Sequence, residues 1–242
     1  MIDLEINQRA QPLRNPLCVA LDVDEPQEAL KLAHDLADIV GGFKLGPRLL
    51  LKDSQLAPRI ARLAPLFIDC KFFDIPSTMI SAIRTSFDLG ASLVTVHALS
   101  SHEALSELSR LEKELIQIRP FRILAVTVLT SWDQASLPQN LKSQPIPEHV
   151  YSLAQMTQKS GLSSVVCSPE EIELLKPLGL YLLTPGIRFS LENLDDQKRV
   201  LTPHEAIGKG ASALVVGRPI LKAKHPREAA VDYLHAIYEK KS

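Results

Sequence analysis

Short apolar runs alternate with longer amphipathic stretches from one end of the chain to the other. The apolar runs read as strands: LCVALDV (17–23), GFKLG (42–46), LFIDC (66–70), SLVTVHA (92–98), RILAVTVL (122–129), SSVVCS (163–168), LYLLTPG (180–186) and ALVVG (213–217). Between them lie helical periods such as PQEALKLAHDLADIV (26–40), in which Ala29, Leu32, Ala33 and Leu36 share a face. Pro26 suits the opening of that helix and Gly41 its end. Eight strands alternating with helices over 242 residues predict a parallel (β/α)8 TIM barrel of the α/β class, one domain over 1–242. The near-continuous apolar character of the strands agrees, because parallel strands are buried on both faces. A doubly wound open sheet competes with this layout. It would carry a glycine-rich turn after the first strand, yet that turn reads LDVDEP, and GKGAS (208–212) precedes a strand rather than a helix. The polar stretch 131–147 reads as a βα loop rather than a domain boundary.

Composition narrows the function classes. Hydrophobic residues make up 45% of the chain and the formal net charge is -1, so there is ample core and no basic footprint for nucleic acid or an anionic membrane. The first residues include acidic groups and no apolar segment of a secretory signal, and no apolar run approaches about 18 residues. Three cysteines, Cys18, Cys70 and Cys167, are scattered singly. That spacing suits a reducing cytoplasm better than a disulfide framework or a zinc site.

Charge placement is the sharper signal. Active sites of such barrels sit at the C-terminal ends of the strands. Asp22 ends the first strand, Lys44 lies in the second, Asp69 and Lys71 end the third, and Asp74 follows closely. Asp69 and Lys71 are two apart, so on an extended strand they point to the same side. Any one of these residues alone is better read as a solvated strand end or a structural ion pair. Five at successive strand ends converge on one mouth, where alternating charges hold one another in place. His97 and Trp132 read as packing residues.

A second signal lies at the far end of the chain. TPGIR (184–188) ends the seventh strand, and VVGRPI (215–220) ends the eighth and opens a helix. Barrels often build a phosphate site from these two loops and a helix N-terminus. Gly217 would let the backbone approach the anion, and Arg218 could grip its oxygens bidentately. A phosphorylated small molecule is the implied ligand, although a surface turn with an incidental arginine has the same local sequence.

The segments LDVD, FKLG, DCKFFDIPST, LTS, TPGIR, DDQKRVLTP and VVGRPI resemble, in order and spacing, the orotidine 5'-phosphate decarboxylase family, from about Leu17 to Ala230. The resemblance implies removal of CO2 from C6 of orotidine 5'-monophosphate, giving UMP in de novo pyrimidine biosynthesis, with no metal and no organic cofactor. It implies that Lys71 protonates C6, that Asp69 lies beside the departing carboxylate, and that Lys44 and Asp74 complete a Lys-Asp-Lys-Asp array. Asp22, Lys44 and Thr78 would bind the ribose and Thr130 the pyrimidine, while Arg188, Gln197, Gly217 and Arg218 would hold the phosphate. It further implies a homodimer whose last aspartate, Asp74, enters the partner's site, and a loop over roughly 187–201 that closes on the ligand. Cys70 and Ser77 stand where leucine and asparagine are common in the family. Two rivals remain: a magnesium-dependent sugar-phosphate decarboxylase or aldolase of the same barrel type, which usually carries a carboxylate where this chain has Lys44, and a catalytically silent barrel. The silent barrel would be expected to lose a member of the array.

Overall fold

The structure, a computed structural model, describes residues 11–189 and 201–239. Eight parallel strands close into a barrel in sequence order. They are β1 (Leu17–Ala20), β2 (Gly42–Leu45), β3 (Leu66–Phe72), β4 (Ala91–His97), β5 (Arg122–Val126), β6 (Ser164–Val166), β7 (Tyr181–Pro185) and β8 (Ala213–Val216). The helices are α1 (Pro26–Leu36), α2 (Pro47–Lys52), α3 (Leu56–Ala61), α4 (Pro76–Asp88), α5 (His102–Leu115), α6 (Ile146–Lys159), α7 (Ile172–Leu175), α8 (Pro203–Lys209), α9 (Arg218–Leu221) and α10 (Pro226–Tyr238). All eight expected strands are present. The stretch 131–147 is indeed a βα loop between β5 and α6, with Trp132 packed on the core.

Strand alternation sorts the side chains into two cores. Leu17, Val19, Phe43, Leu45, Leu66, Ile68, Val94 and Val96 face the helical shell, packed with residues such as Ala29, Ala33 and Leu36 of α1. Cys18, Ala20, Phe67, Leu93, Leu124, Leu183, Ala213 and Val215 fill the interior, joined by Leu13 from the segment before β1. A period of two therefore sends Lys44, Asp69 and Thr95 inward as well, because each alternates with outward neighbours on its strand. Register sets their height. Lys44 pairs with Phe67, and Phe67 with Leu93, so Asp69 and Thr95 stand one step above that apolar layer.

Two local expectations need correction. The first helix stops at Leu36 rather than running on to residue 40, and Val40 returns to it through a turn. Gly41 is therefore not a helix cap. Its need for glycine comes from close approach, since a Cβ there would collide with the Asn15 carbonyl. Asn15 itself ties the segment down, donating to the Ile39 carbonyl (2.8 Å) and accepting the Leu17 N–H (3.0 Å).

Where α5 packs against the start of β5, buried Glu112 accepts the N–H of Ile123 at 2.6 Å. Burial pushes its carboxyl up from 4.5 to about 7, against the opposing pull of the Ile123 hydrogen bond and of Arg122. The folded value exceeds the unfolded one, so the stability this group adds is full below about 4.5 and is lost as pH rises through about 7. Thermal melts should therefore show Tm declining between about pH 5 and 7, and Glu112→Gln should flatten that decline while keeping the acceptor for Ile123. An equal slope in both proteins would mean that other groups set it.

Candidate active site

The mouth of the barrel opens into a cavity of about 740 Å³. Its lining includes Asp22 beyond β1, Lys44 of β2, Asp69 and Lys71 of β3, Thr130 beyond β5, Arg188 beyond β7, and Gly217 and Arg218 after β8. Eight of the expected site residues thus meet in one chamber.

The charges form a chain of alternating sign. Lys44 Nζ lies 3.1 Å from Asp22 Oδ1 and 3.5 Å from Asp69 Oδ2, and Lys71 Nζ donates to Asp69 Oδ1 at 2.8 Å. The two central members are the most enclosed, with side chains 12% and 14% exposed for Lys44 and Asp69, against 53% for Asp22. Burial pulls the Lys44 ammonium down, but Asp69 and Asp22 together outweigh it and hold the group above its ordinary value. Burial likewise pushes Asp69 up, and Lys44 and Lys71 overcome that and hold it below the usual carboxylate range. Both remain charged at neutral pH. Beneath them, burial pushes the Cys18 thiol up to about 12, so the floor is neutral.

Lys71 reaches Asp69 by a route that a regular strand would not use. Its φ is +48°, the one positive value outside glycine among the described residues. Pairing runs Ile68 with Val94 and then Phe72 with Val96, so Asp69, Cys70 and Lys71 span the interval that Thr95 alone spans on β4. This is a bulge with two extra residues. The simple two-residue spacing gave the right contact for the wrong backbone.

The cavity collects six cations, Lys44, Arg48, Lys71, Arg188, Arg218 and Lys222, against three carboxylates, Asp22, Asp24 and Asp69. That excess suits an anionic ligand. Arg48 is half-committed already, donating to Asp24 at 2.9 Å. Arg188 is buried, and its backbone N–H donates to the Leu201 carbonyl (3.0 Å). The helix after Gly217 is only the single turn α9. A macrodipole therefore contributes little, and any anion grip falls to the guanidinium groups and the exposed backbone. At Gly217 a Cβ would meet Ala20 Cβ at 3.5 Å and Asp22 Oδ2 at 3.7 Å, so the missing side chain leaves open cavity rather than relieving a clash.

Asp74 and Thr78 lie elsewhere. They line a second cavity of about 330 Å³ with Cys70, Phe72, Phe73 and Met79, and only Lys71 borders both. Asp74 is exposed, as are Phe73 (61%) and Ile75 (64%) beside it. Gln197 falls outside the described residues. His97 behaves as a packing residue: its ring lies tilted against Phe73, centroids 5.7 Å apart, and its Nδ1 accepts the Leu99 N–H. Thr95, Arg48 and Lys222 were missed by sequence reasoning. For Thr95 a signal existed, because a hydroxyl sits at an inward position two residues after Leu93.

Removing the central carboxylate should be costly. Asp69→Asn leaves Lys44 and Lys71 facing each other, and loss of one partner in an enclosed ion pair costs about 3 kcal/mol. In a chain of this size that corresponds to a Tm lower by roughly 6–12 °C in a calorimetric scan at pH 7. An unchanged Tm would show that the array contributes nothing net to stability.

Comparison with known proteins bears on the family and the fold. The chain is similar to the orotidine 5'-phosphate decarboxylase of Paramagnetospirillum magneticum, 41% identical over 224 residues, covering 89% of this chain and 95% of that one. The enzyme of the same name from Parasynechococcus marenigrum is 42% identical over 225 residues, covering 88% and 90%. A crystal structure of orotidine 5'-phosphate decarboxylase from Lactobacillus acidophilus superposes with a TM-score of 0.79 at 30% identity, over 93% of this chain and 100% of that one. The sequence pattern of one family matches residues 15–233, and the chain belongs to it: the orotidine 5'-phosphate decarboxylase / HUMPS family.

Proposed function

We propose that this protein is a carboxy-lyase that converts orotidine 5'-monophosphate to UMP and CO2 in pyrimidine biosynthesis, using its own side chains and no cofactor. The observation that carries the reading is the Asp22–Lys44–Asp69–Lys71 chain within a cavity that also holds Arg188 and Arg218. The curated relatives named above carry the decarboxylase name alone. Lys44, an ammonium 3.5 Å from Asp69, supports this over a magnesium-dependent sugar-phosphate reaction, because it already supplies a cation beside that carboxylate.

The chemistry follows from the charges. The phosphate sits with Arg188, Arg218 and the Gly217 backbone, joined by Gln197, and Thr130 faces the pyrimidine. Asp22 and Lys44 take the ribose hydroxyls, joined by the partner's Thr78. The bond between C6 and its carboxylate breaks, CO2 leaves, and the electron pair stays on C6. Lys71, held on Asp69 at 2.8 Å, stabilises that pair as it develops and then gives C6 a proton, regaining one from solvent. Asp69 keeps Lys71 oriented and, with Lys44, fixes the field before substrate arrives. No helix among the described residues is long and apolar enough to cross a membrane, and we place the enzyme in the cytoplasm.

The proposed enzyme is a homodimer. Asp74 and Thr78 lie outside their own chain's main cavity, flanked by exposed Phe73 and Ile75, which supports a site completed by the partner's Asp74.

The test is decarboxylation followed by loss of orotate absorbance with chelator present. Lys71→Ala should lower turnover at least 100-fold with an unchanged circular dichroism spectrum, since a general acid contributes about 10²–10⁴-fold. Retention of more than a tenth of the wild-type rate would remove Lys71 from the role, and activity that depends on added Mg²⁺ would favour the sugar-phosphate reaction.

The shared site has its own test. Lys71→Ala and Asp74→Ala dimers should each be nearly dead. Mixed and allowed to exchange, about half of the dimers become hybrids in which one site carries both lesions and the other neither, so roughly a quarter of wild-type activity should return. Exchange without recovery would place every site within one chain.

A further inference from the structure

The bulge that delivers Lys71 is tied to one side chain outside the cavity. Thr95 of β4 is fully buried and does not line the chamber. Its Oγ1 lies 2.9 Å from the Lys71 backbone nitrogen and 2.9 Å from Asp69 Oδ1. Chemistry fixes the direction of both bonds. An amide N–H only donates and a carboxylate only accepts, so the hydroxyl accepts from Lys71 and sends its single proton to Asp69.

Thr95 therefore grips both members of the pair at once. It holds the backbone of Lys71 at the turn with φ of +48° and braces the carboxylate that receives Lys71 Nζ. A left-handed lysine costs of order 1–3 kcal/mol and persists only where its surroundings enforce it. The bulge has also removed the ladder partner that this N–H would find in a regular strand, and the Thr95 hydroxyl replaces it. Resting on the reading that Lys71 is the proton donor, we infer that Thr95 is a positioning residue that sets the Asp69–Lys71 geometry through its hydroxyl.

The experiment compares Thr95→Val, which deletes the hydroxyl at nearly constant shape, with Thr95→Ser, which keeps it. Misplacement of a reacting group by a fraction of an ångström to an ångström costs up to about 100-fold. Thr95→Val should therefore lose about 10- to 100-fold in kcat with KM within about 3-fold, because Thr95 meets Asp69 and Lys71 from behind and does not itself line the chamber. Thr95→Ser should stay within about 3-fold of wild type in kcat whatever its Tm, a rescue that a purely structural role would not give. Hydrogen exchange of the Lys71 amide supplies a readout free of chemistry: it should quicken at least 10-fold in Thr95→Val and stay slow in Thr95→Ser. Should Thr95→Val fail to fold, Thr95→Ala deletes the same hydroxyl with less bulk and is read the same way. Wild-type kcat and a protected Lys71 amide in the hydroxyl-less variant would overturn the inference. Lys71→Ala, run alongside, separates the two readings. Activity in that variant overturns the proton-donor role itself, whereas a dead Lys71→Ala beside a fully active Thr95→Val overturns the role of Thr95 alone.

Discussion

The Asp69 carboxylate is the point on which the mouth of the barrel is organised. It stands in an enclosed position where an unpaired charge would be expelled or neutralised, and it avoids both by accepting two hydrogen bonds and pairing with a second ammonium. Lys71 Nζ and the Thr95 hydroxyl share one oxygen, and Lys44 Nζ faces the other. Each lysine in turn needs the carboxylate, since two ammonium groups at this spacing would otherwise repel. Any one of the three residues is unfavourable alone; together they form a fixed field. The arrangement depends on the fold in turn, because the register of β2, β3 and β4 sets Lys44 level with Phe67, one inward step below Asp69 and Thr95, from where its long stem reaches the carboxylate.

A barrel separates these demands along its axis. The layer below the charges is apolar, with Phe67, Leu93, Leu124, Leu183 and Val215 packed across the interior. That layer contributes cohesion without asking anything of the mouth, where most of the polar cost is concentrated. Cys18 belongs to the lower layer in character, a small buried thiol kept neutral beneath the array. The cavity above can thus carry an excess of cations without the fold depending on its occupancy.

Much of this was legible in the sequence. Eight alternating units were countable, and the inward or outward sense of Lys44 and Asp69 followed from a period of two. What escaped was whatever depends on a neighbouring strand. A bulge is a mismatch between two chains, and nothing in LFIDCKFF announces that β4 will offer one residue against three. Thr95 was half legible: its inward position could be read, but its hydroxyl matters only because the bulge left the Lys71 N–H and Asp69 within its reach. The length of α9 was equally invisible, because RPIL is compatible with a long helix or a single turn. Asp74 is a different case. Five residues from Asp69 in sequence, it leaves the chamber because the chain turns outward after Phe72 to start α4.

The strain at Lys71 has a physical logic that joins these parts. A regular strand would carry residue 71 about 7 Å along the strand from residue 69, since each residue rises about 3.3 Å. The lysine would then reach the mouth from above, with a long flexible stem and many rotamers. Folding the two extra residues into a bulge shortens the advance and brings Nζ back onto Oδ1 at 2.8 Å. The left-handed backbone is the cost of that short path, and it falls on the folded protein once rather than on every turnover. A proton donor held this way needs no rearrangement when charge develops nearby. The same logic explains why a fully buried hydroxyl sits behind the bulge instead of one more apolar side chain: a methyl would fill the space, but it could neither accept from the Lys71 N–H nor hold the carboxylate that aims the ammonium.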